Sequence, residues 1–230
     1  MPQGEMVYTT TGEIKSLSKS SLLGFWGKLL ICYFILFAIT QYIPGFLSRI
    51  IPGLTYVYDF EYMGIKDRIE YAILPVFFMA ILNGPFRYGI SKIHLRQIRE
   101  RSMESNDLFS GFANFGKSFA TYVLMWLIIL IVAIPFVAVG TLIVVFLSKS
   151  GTALQILGSF LYMIALVAGL IAVIYISVLL AMSFYILVDN PNLKPKEALK
   201  ASATIMKKNV GRFVVLRLSY LGWIFLASMV

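Results

Sequence analysis

The sequence predicts an all-α fold, a polytopic transmembrane helix bundle that carries amphipathic helices along the cytoplasmic interface. Three observations lead there. The 230 residues are 59% hydrophobic and only 13% charged, whereas an ordinary soluble domain is about 25% charged. A chain this apolar (mean hydropathy +0.83) has too little polar surface to face water on all sides. Its apolar residues are gathered into runs of the length, roughly 20 helical residues, that crosses a bilayer core of about 30 Å. Finally, sixteen of the twenty basic residues fall in three segments that alternate with those runs.

The first thirteen residues are polar and are expected to be disordered; residues 14–230 then form a single membrane domain. From Ile14 to Lys28 apolar residues interleave with Lys15, Lys19 and Lys28, the pattern of a helix lying in the membrane interface. It leads into a first span over about 22–43, which Pro44-Gly45 is expected to end. Nothing here looks like a cleavable signal, because the apolar run is long and lacks a small-residue cleavage site. Cys32 lies inside it and, as the single cysteine, forms no intramolecular disulfide.

A loop over 44–72 carries the acidic cluster Asp59, Glu61, Asp67 and Glu70 with several tyrosines, as an interfacial belt does. The second span, about 72–93, contains Asn83-Gly84-Pro85, where the missing proline N–H predicts a kink. A polar, basic stretch follows. Asp107 or Asn106 suits a helix N-cap there, and Phe109, Phe112, Phe115 and Phe119 recur at helical spacing, placing them on one face. His94 has no metal or catalytic partner in sequence and reads as part of a solvated basic face with Arg96 and Arg99.

The third span covers about 119–147 and ends in the turn Ser148–Gly151. The run from Thr152 to Val188 has no charge in 37 residues, too long for one upright crossing. Two readings stay open: one long tilted helix, or a span over 160–188 preceded by a re-entrant turn near Gly158. Asp189-Asn190-Pro191 closes it as a turn. Pro195 and Glu197 open a short basic amphipathic helix with Ala198, Ser202, Ile205 and Met206 on one side, and Gly211 is its expected stop. A last apolar run, 213–230, makes a partial span. Thirteen residues remain after Arg217, so the sequence reads as truncated at its C-terminus.

The positive-inside rule then puts the N-terminus and the three basic segments in the cytoplasm of a multi-pass protein of the cell membrane. Gly27-Lys28, Gly116-Lys117 and Gly211-Arg212 each precede a span, at intervals of 89 and 95 residues. They read as a repeat in which a left-handed glycine ends each interfacial helix, although chance also produces such pairs. Lys28, Lys117, Lys207, Lys208 and Arg212 are the candidate contacts to anionic lipid or a cytoplasmic partner.

No residue pattern calls for a catalytic, metal or cofactor site, and no cofactor is expected. The net charge of +9 fits cytoplasmic loops beside anionic lipid better than a nucleic-acid partner. Expected partners are the lipid bilayer and other membrane proteins or further copies of the chain.

Two stretches carry a family resemblance. Residues 106–119, NDLFSGFANFGKSF, and residues 185–223, with Asp189-Asn190-Pro191, Pro195, Glu197-Ala198 and Gly222-Trp223 in order, resemble the integral-membrane family of Gram-positive bacteria known as domain of unknown function 975. The resemblance implies about six spans and no known enzymatic activity. It extends distantly to the membrane domain attached to some glycerophosphodiester phosphodiesterases, as an anchor only. Lys194 departs from the pattern, standing where a Ser or Thr cap is expected.

The functional reading from sequence is thus a non-enzymatic membrane scaffold or partner-binding protein. A transporter or permease component is the alternative, and a membrane enzyme is the least supported.

Overall fold

The computed structural model describes residues 10–50, 65–148 and 151–228, with side chains left out of account at 40–41, 43–50, 65–80 and 221–228. Among them the fold is entirely helical, without a strand. The helices are α1 (Thr11–Leu22), α2 (Trp26–Ile50), α3 (Ile65–Glu100), α4 (Ser110–Ala113), α5 (Phe115–Leu147), α6 (Thr152–Leu179), α7 (Ser183–Asp189), α8 (Pro195–Lys207) and α9 (Val210–Ser228). A 3-10 turn, Ser105–Phe109, precedes α4. The chain divides into two compact units, 1–122 with 187–192, and 123–186 with 193–230.

Helix α1 begins inside the stretch expected to be disordered. Thr10 and Glu13 form a capping box: the Glu13 N–H donates to Thr10 Oγ1 at 3.3 Å, and the Thr10 N–H donates to Glu13 Oε2 at 2.8 Å. The T-x-x-E signature was there to be read. Between α1 and α2 the chain turns by 90°, at Gly24 with φ +86°, a conformation costly for any residue with a Cβ. The left-handed glycine is therefore Gly24. Gly27, Gly116 and Gly211 are instead each the second residue of a long helix, α2, α5 and α9, so none ends an interfacial helix. The role expected of these glycines therefore does not hold.

In the first unit, Leu29 and Cys32 of α2 pack with Phe86 and Ile93 of α3, and Met103 and Leu108 complete the cluster. Two glycines let backbones approach. A Cβ on Gly89 would overlap the Leu108 carbonyl, and one on Gly111 would overlap the Pro85 carbonyl, the close approach that small residues permit between membrane helices. The four phenylalanines do not share one helix. A break at Asn114 separates Phe109 and Phe112, which pack edge-on to Phe86, from the stacked pair Phe115 and Phe119.

In the second unit α5 and α6 pair as an antiparallel hairpin. Leu147 meets Gly158, Tyr162 meets Gly140 and Phe136 meets Gly169, large side chains entering glycine notches along the pair. Gly158 thus lies inside α6 and makes no re-entrant turn. The apolar run instead breaks at Leu180–Met182. There the Met182 N–H donates to Ser202 Oγ at 3.1 Å, and the Ser202 hydroxyl donates to the Leu179 carbonyl at 2.8 Å. A side chain from α8 thus satisfies the backbone groups that the break sets free. The buried face of α8 is Ala198, Leu199, Ser202 and Met206; Ile205, placed there from sequence, is exposed. Gly211 does not stop α8, which ends at Lys207.

Among the described residues α5 and the Thr152–Asp189 run are long and apolar enough to cross a membrane, and α1 with the start of α2 makes a third if the bent pair counts as one span. Their large apolar side chains lie bare, Phe146 at 82%, as lipid-facing residues do. Helix α2 continues past Pro44-Gly45 to Ile50, α3 begins at Ile65 rather than near 72, and α3 continues through Pro85. A helix meets its own backbone hydrogen bonds, which an apolar solvent demands, so it outruns the turn signals that would end it in water. Asp59 and Glu61 fall outside the described residues, as do the side chains of Asp67 and Glu70.

Candidate functional site

The charged residues of the first unit converge where α3 ends. Lys92, Arg96 and Arg99 follow one another at i, i+4 and i+7, so they rise along one face of the helix. Two acidic residues from elsewhere in the chain meet them. Asp107, in the 3-10 turn, pairs with Lys92 Nζ at 2.8 Å and Arg96 Nη1 at 2.6 Å. Its side chain is only 7% exposed. Arg96 also reaches Glu100 Oε2 at 3.0 Å and Glu104 Oε2 at 3.2 Å. It is the hub of a network with more acid than base around it.

One turn further on, Arg99 grips Asp189 with a two-pronged contact, Nη1 to Oδ1 at 2.7 Å and Nη2 to Oδ2 at 2.8 Å. Lys117, from the first turn of α5, donates to the Pro191 carbonyl. The Asp-Asn-Pro turn is therefore fastened at both ends, by a guanidinium and by an ammonium. Between these groups lies an open hollow of about 280 Å³ lined by Lys92, Arg96, Arg99, Glu100, Val188 and Asp189.

Electrostatics hold the Asp107 carboxylate charged. Burial pushes the Asp107 carboxyl upward, but hydrogen bonds and charge from Lys92 and Arg96 outweigh it and leave the group below its ordinary range. Arg96 and Arg99 are shifted up, first by their hydrogen bonds to Asp107 and Asp189 respectively. A carboxylate held in this way takes up a proton less readily than a free one. Among the described residues no three His, Cys, Asp or Glu side chains gather as metal ligands. The arrangement fastens segments together.

These positions correct several expectations. Asp107 is not an N-cap but a buried ion-pair partner. Asp189 does more than form a turn. His94 is half-buried, and its Nε2 is 3.2 Å from the Tyr33 hydroxyl. Lys117 is bound to the Pro191 carbonyl, while Lys28, Lys207, Lys208 and Arg212 lie exposed. Glu197 accepts from the Lys194 N–H at 2.9 Å, one arm of a capping box. Lysine has no acceptor for the other arm, so the departure at Lys194 costs one cap bond. The i, i+4, i+7 bases of α3 were the signal for the cluster, together with two acidic residues placed beside turns.

The fold and the fastened Asp-Asn-Pro turn can now be set beside known proteins. The family model described as "Protein of unknown function (DUF975)" matches residues 6–230. The chain belongs to this family. No curated protein and no solved structure matches it. Within this DUF975 chain, the motif residues Asp189 and Pro191 both make contacts to other helices, and Glu197 caps α8. The motif is thus structural in each part that the side chains reveal.

Proposed function

We propose that this DUF975 protein is a non-enzymatic scaffold of the cell membrane, multi-pass with its N-terminus in the cytoplasm, that binds other membrane proteins or further copies of itself and no nucleic acid. The observation that carries this reading is the fate of the charged groups. Asp107 and Asp189 are each held by two donor groups of the protein's own bases, while the apolar faces of α5 and α6 stay bare. Such faces meet lipid or other helices. Gram-positive origin, and the distant relation to the membrane domain of glycerophosphodiester phosphodiesterases as an anchor, go with the same reading.

Two measurements test it. A cytoplasm-only reporter after Lys149 should be silent and one after Asn209 active; the reverse pattern overturns the orientation. Photo-crosslinkers at Ile131, Phe146 and Ile164, all exposed, should give discrete protein adducts in native membranes. Lipid adducts alone, or solute flux in proteoliposomes, would overturn the scaffold and favour a permease component.

A further inference from the structure

We propose that the second unit binds one anionic phospholipid, with its phosphate between Lys196 and Lys200 and an acyl chain in the apolar cleft below them. The site differs from the exposed Lys207, Lys208 and Arg212, and it does not depend on the scaffold reading. The cleft encloses about 380 Å³. Leu124 and Ile128 of α5 form one wall and Ile176 and Leu179 of α6 the other, with Leu199 of α8 above. Lys196 and Lys200 stand at its rim, four residues apart on one face of α8.

The chemistry of the cleft selects its occupant. Its surface is almost wholly carbon, and Leu124 and Leu179 belong to the two runs long enough to cross a bilayer. An acyl chain therefore enters it without leaving hydrocarbon. The two ammonium groups need an anion, and the unit holds a single acid among its bases. Across residues 123–186 and 193–230 the sequence has eight bases and one acid, Glu197, whose carboxylate accepts from the Lys194 N–H. Flexible lysine stems let both heads reach the headgroup level while their methylenes lie against the cleft. A phosphodiester with a negative net charge satisfies both halves of the site at once. A zwitterionic headgroup brings its own cation against the lysines and is disfavoured.

Native mass spectrometry of the purified full chain, with equimolar phosphatidylglycerol and phosphatidylcholine, tests this. Phosphatidylglycerol should be retained as a single adduct. K196Q/K200Q should weaken it roughly twenty-fivefold, at about fivefold per base. K207Q/K208Q, which removes equal charge about 10 Å further along the chain, roughly a Debye length away, should leave it within about twofold. Ala203→Trp, which fills the cleft from α8 and keeps both lysines, should abolish it, with folding checked by thermal melting. Equal losses in the two lysine variants would show diffuse surface attraction and overturn the site. Retention in Ala203→Trp, or displacement by water-soluble glycerol phosphate, would mean that no acyl chain lies in the cleft. Disulfide-linked dimers through Leu124→Cys would assign the cleft to a second copy instead.

Discussion

Arg99 and Asp189 stand 90 residues apart and meet through two parallel hydrogen bonds of 2.7 and 2.8 Å. Neither is deeply buried, at 51% and 30% exposed side chain, so solvent screens the pair and geometry supplies much of its value. Arg99→Lys keeps the charge and loses the fork. The expected cost is about 1 kcal/mol. A double-mutant cycle with Asp189→Asn, read by thermal melting in detergent, should show coupling that shrinks at high salt. Additive losses would mean that the contact contributes nothing.

Asp107 is the more demanding position. Its removal takes away the buried carboxylate that Lys92 and Arg96 share, so Asp107→Ala should cost about 2 kcal/mol. Acid should act in the same direction. The folded carboxyl holds its proton less tightly than the unfolded one, so its contribution is present above the ordinary carboxylate range and is lost as pH falls through and below it. Melting temperature measured against pH should flatten at the acid end in Asp107→Asn. An unchanged acid limb would place the sensitivity elsewhere.

The glycines divide into two classes. Gly89→Ala drives a methyl into the Leu108 carbonyl and Gly111→Ala drives one into that of Pro85; backbone cannot move aside cheaply, so both variants should express poorly or melt early. A Cβ on Gly27, Gly116 or Gly211 meets nothing within 4 Å. Alanine there should be neutral or stabilise by up to about 1 kcal/mol through helix propensity. Loss of stability in Gly116→Ala would show that this shared glycine serves contacts beyond the chain itself.

Ser202→Ala removes an acceptor from the Met182 N–H and a donor to the Leu179 carbonyl. Two backbone groups at the helix break then lack that partner, at a cost of about 1–3 kcal/mol. Hydrogen exchange should rise at Met182 ahead of the rest of the unit. Uniform exchange would mean that the break holds itself.

What the sequence made legible follows from the range of the forces involved. The α5–α6 hairpin was plain because two uncharged runs flank Ser148–Gly151, and the 90° entry into α2 was prefigured by the lysines before it. The break at Leu180–Met182 was not, because those residues are apolar and the serine that stabilises it lies twenty positions away. Asp107 and Asp189 were read by local rules, as a cap and a turn, since their partners come from another helix. Arg96 and Arg99 of α3 were read as a solvated basic face and the bases were counted toward topology, while the acids that meet them lie elsewhere in the sequence.

Helix α1 is attached by its tail. Gln97 donates to the Ser21 carbonyl at 3.1 Å and Arg101 to that of Ser20 at 3.3 Å, while no residue of α1 is itself buried. The helix is an outrigger, lashed at its last turn. Its steadiness is borrowed from whatever surface it rests on, so in detergent α1 should exchange its amide protons faster than α3, and on anionic vesicles it should slow. A cell that changes the charge of its lipids would thereby change how firmly this arm is held.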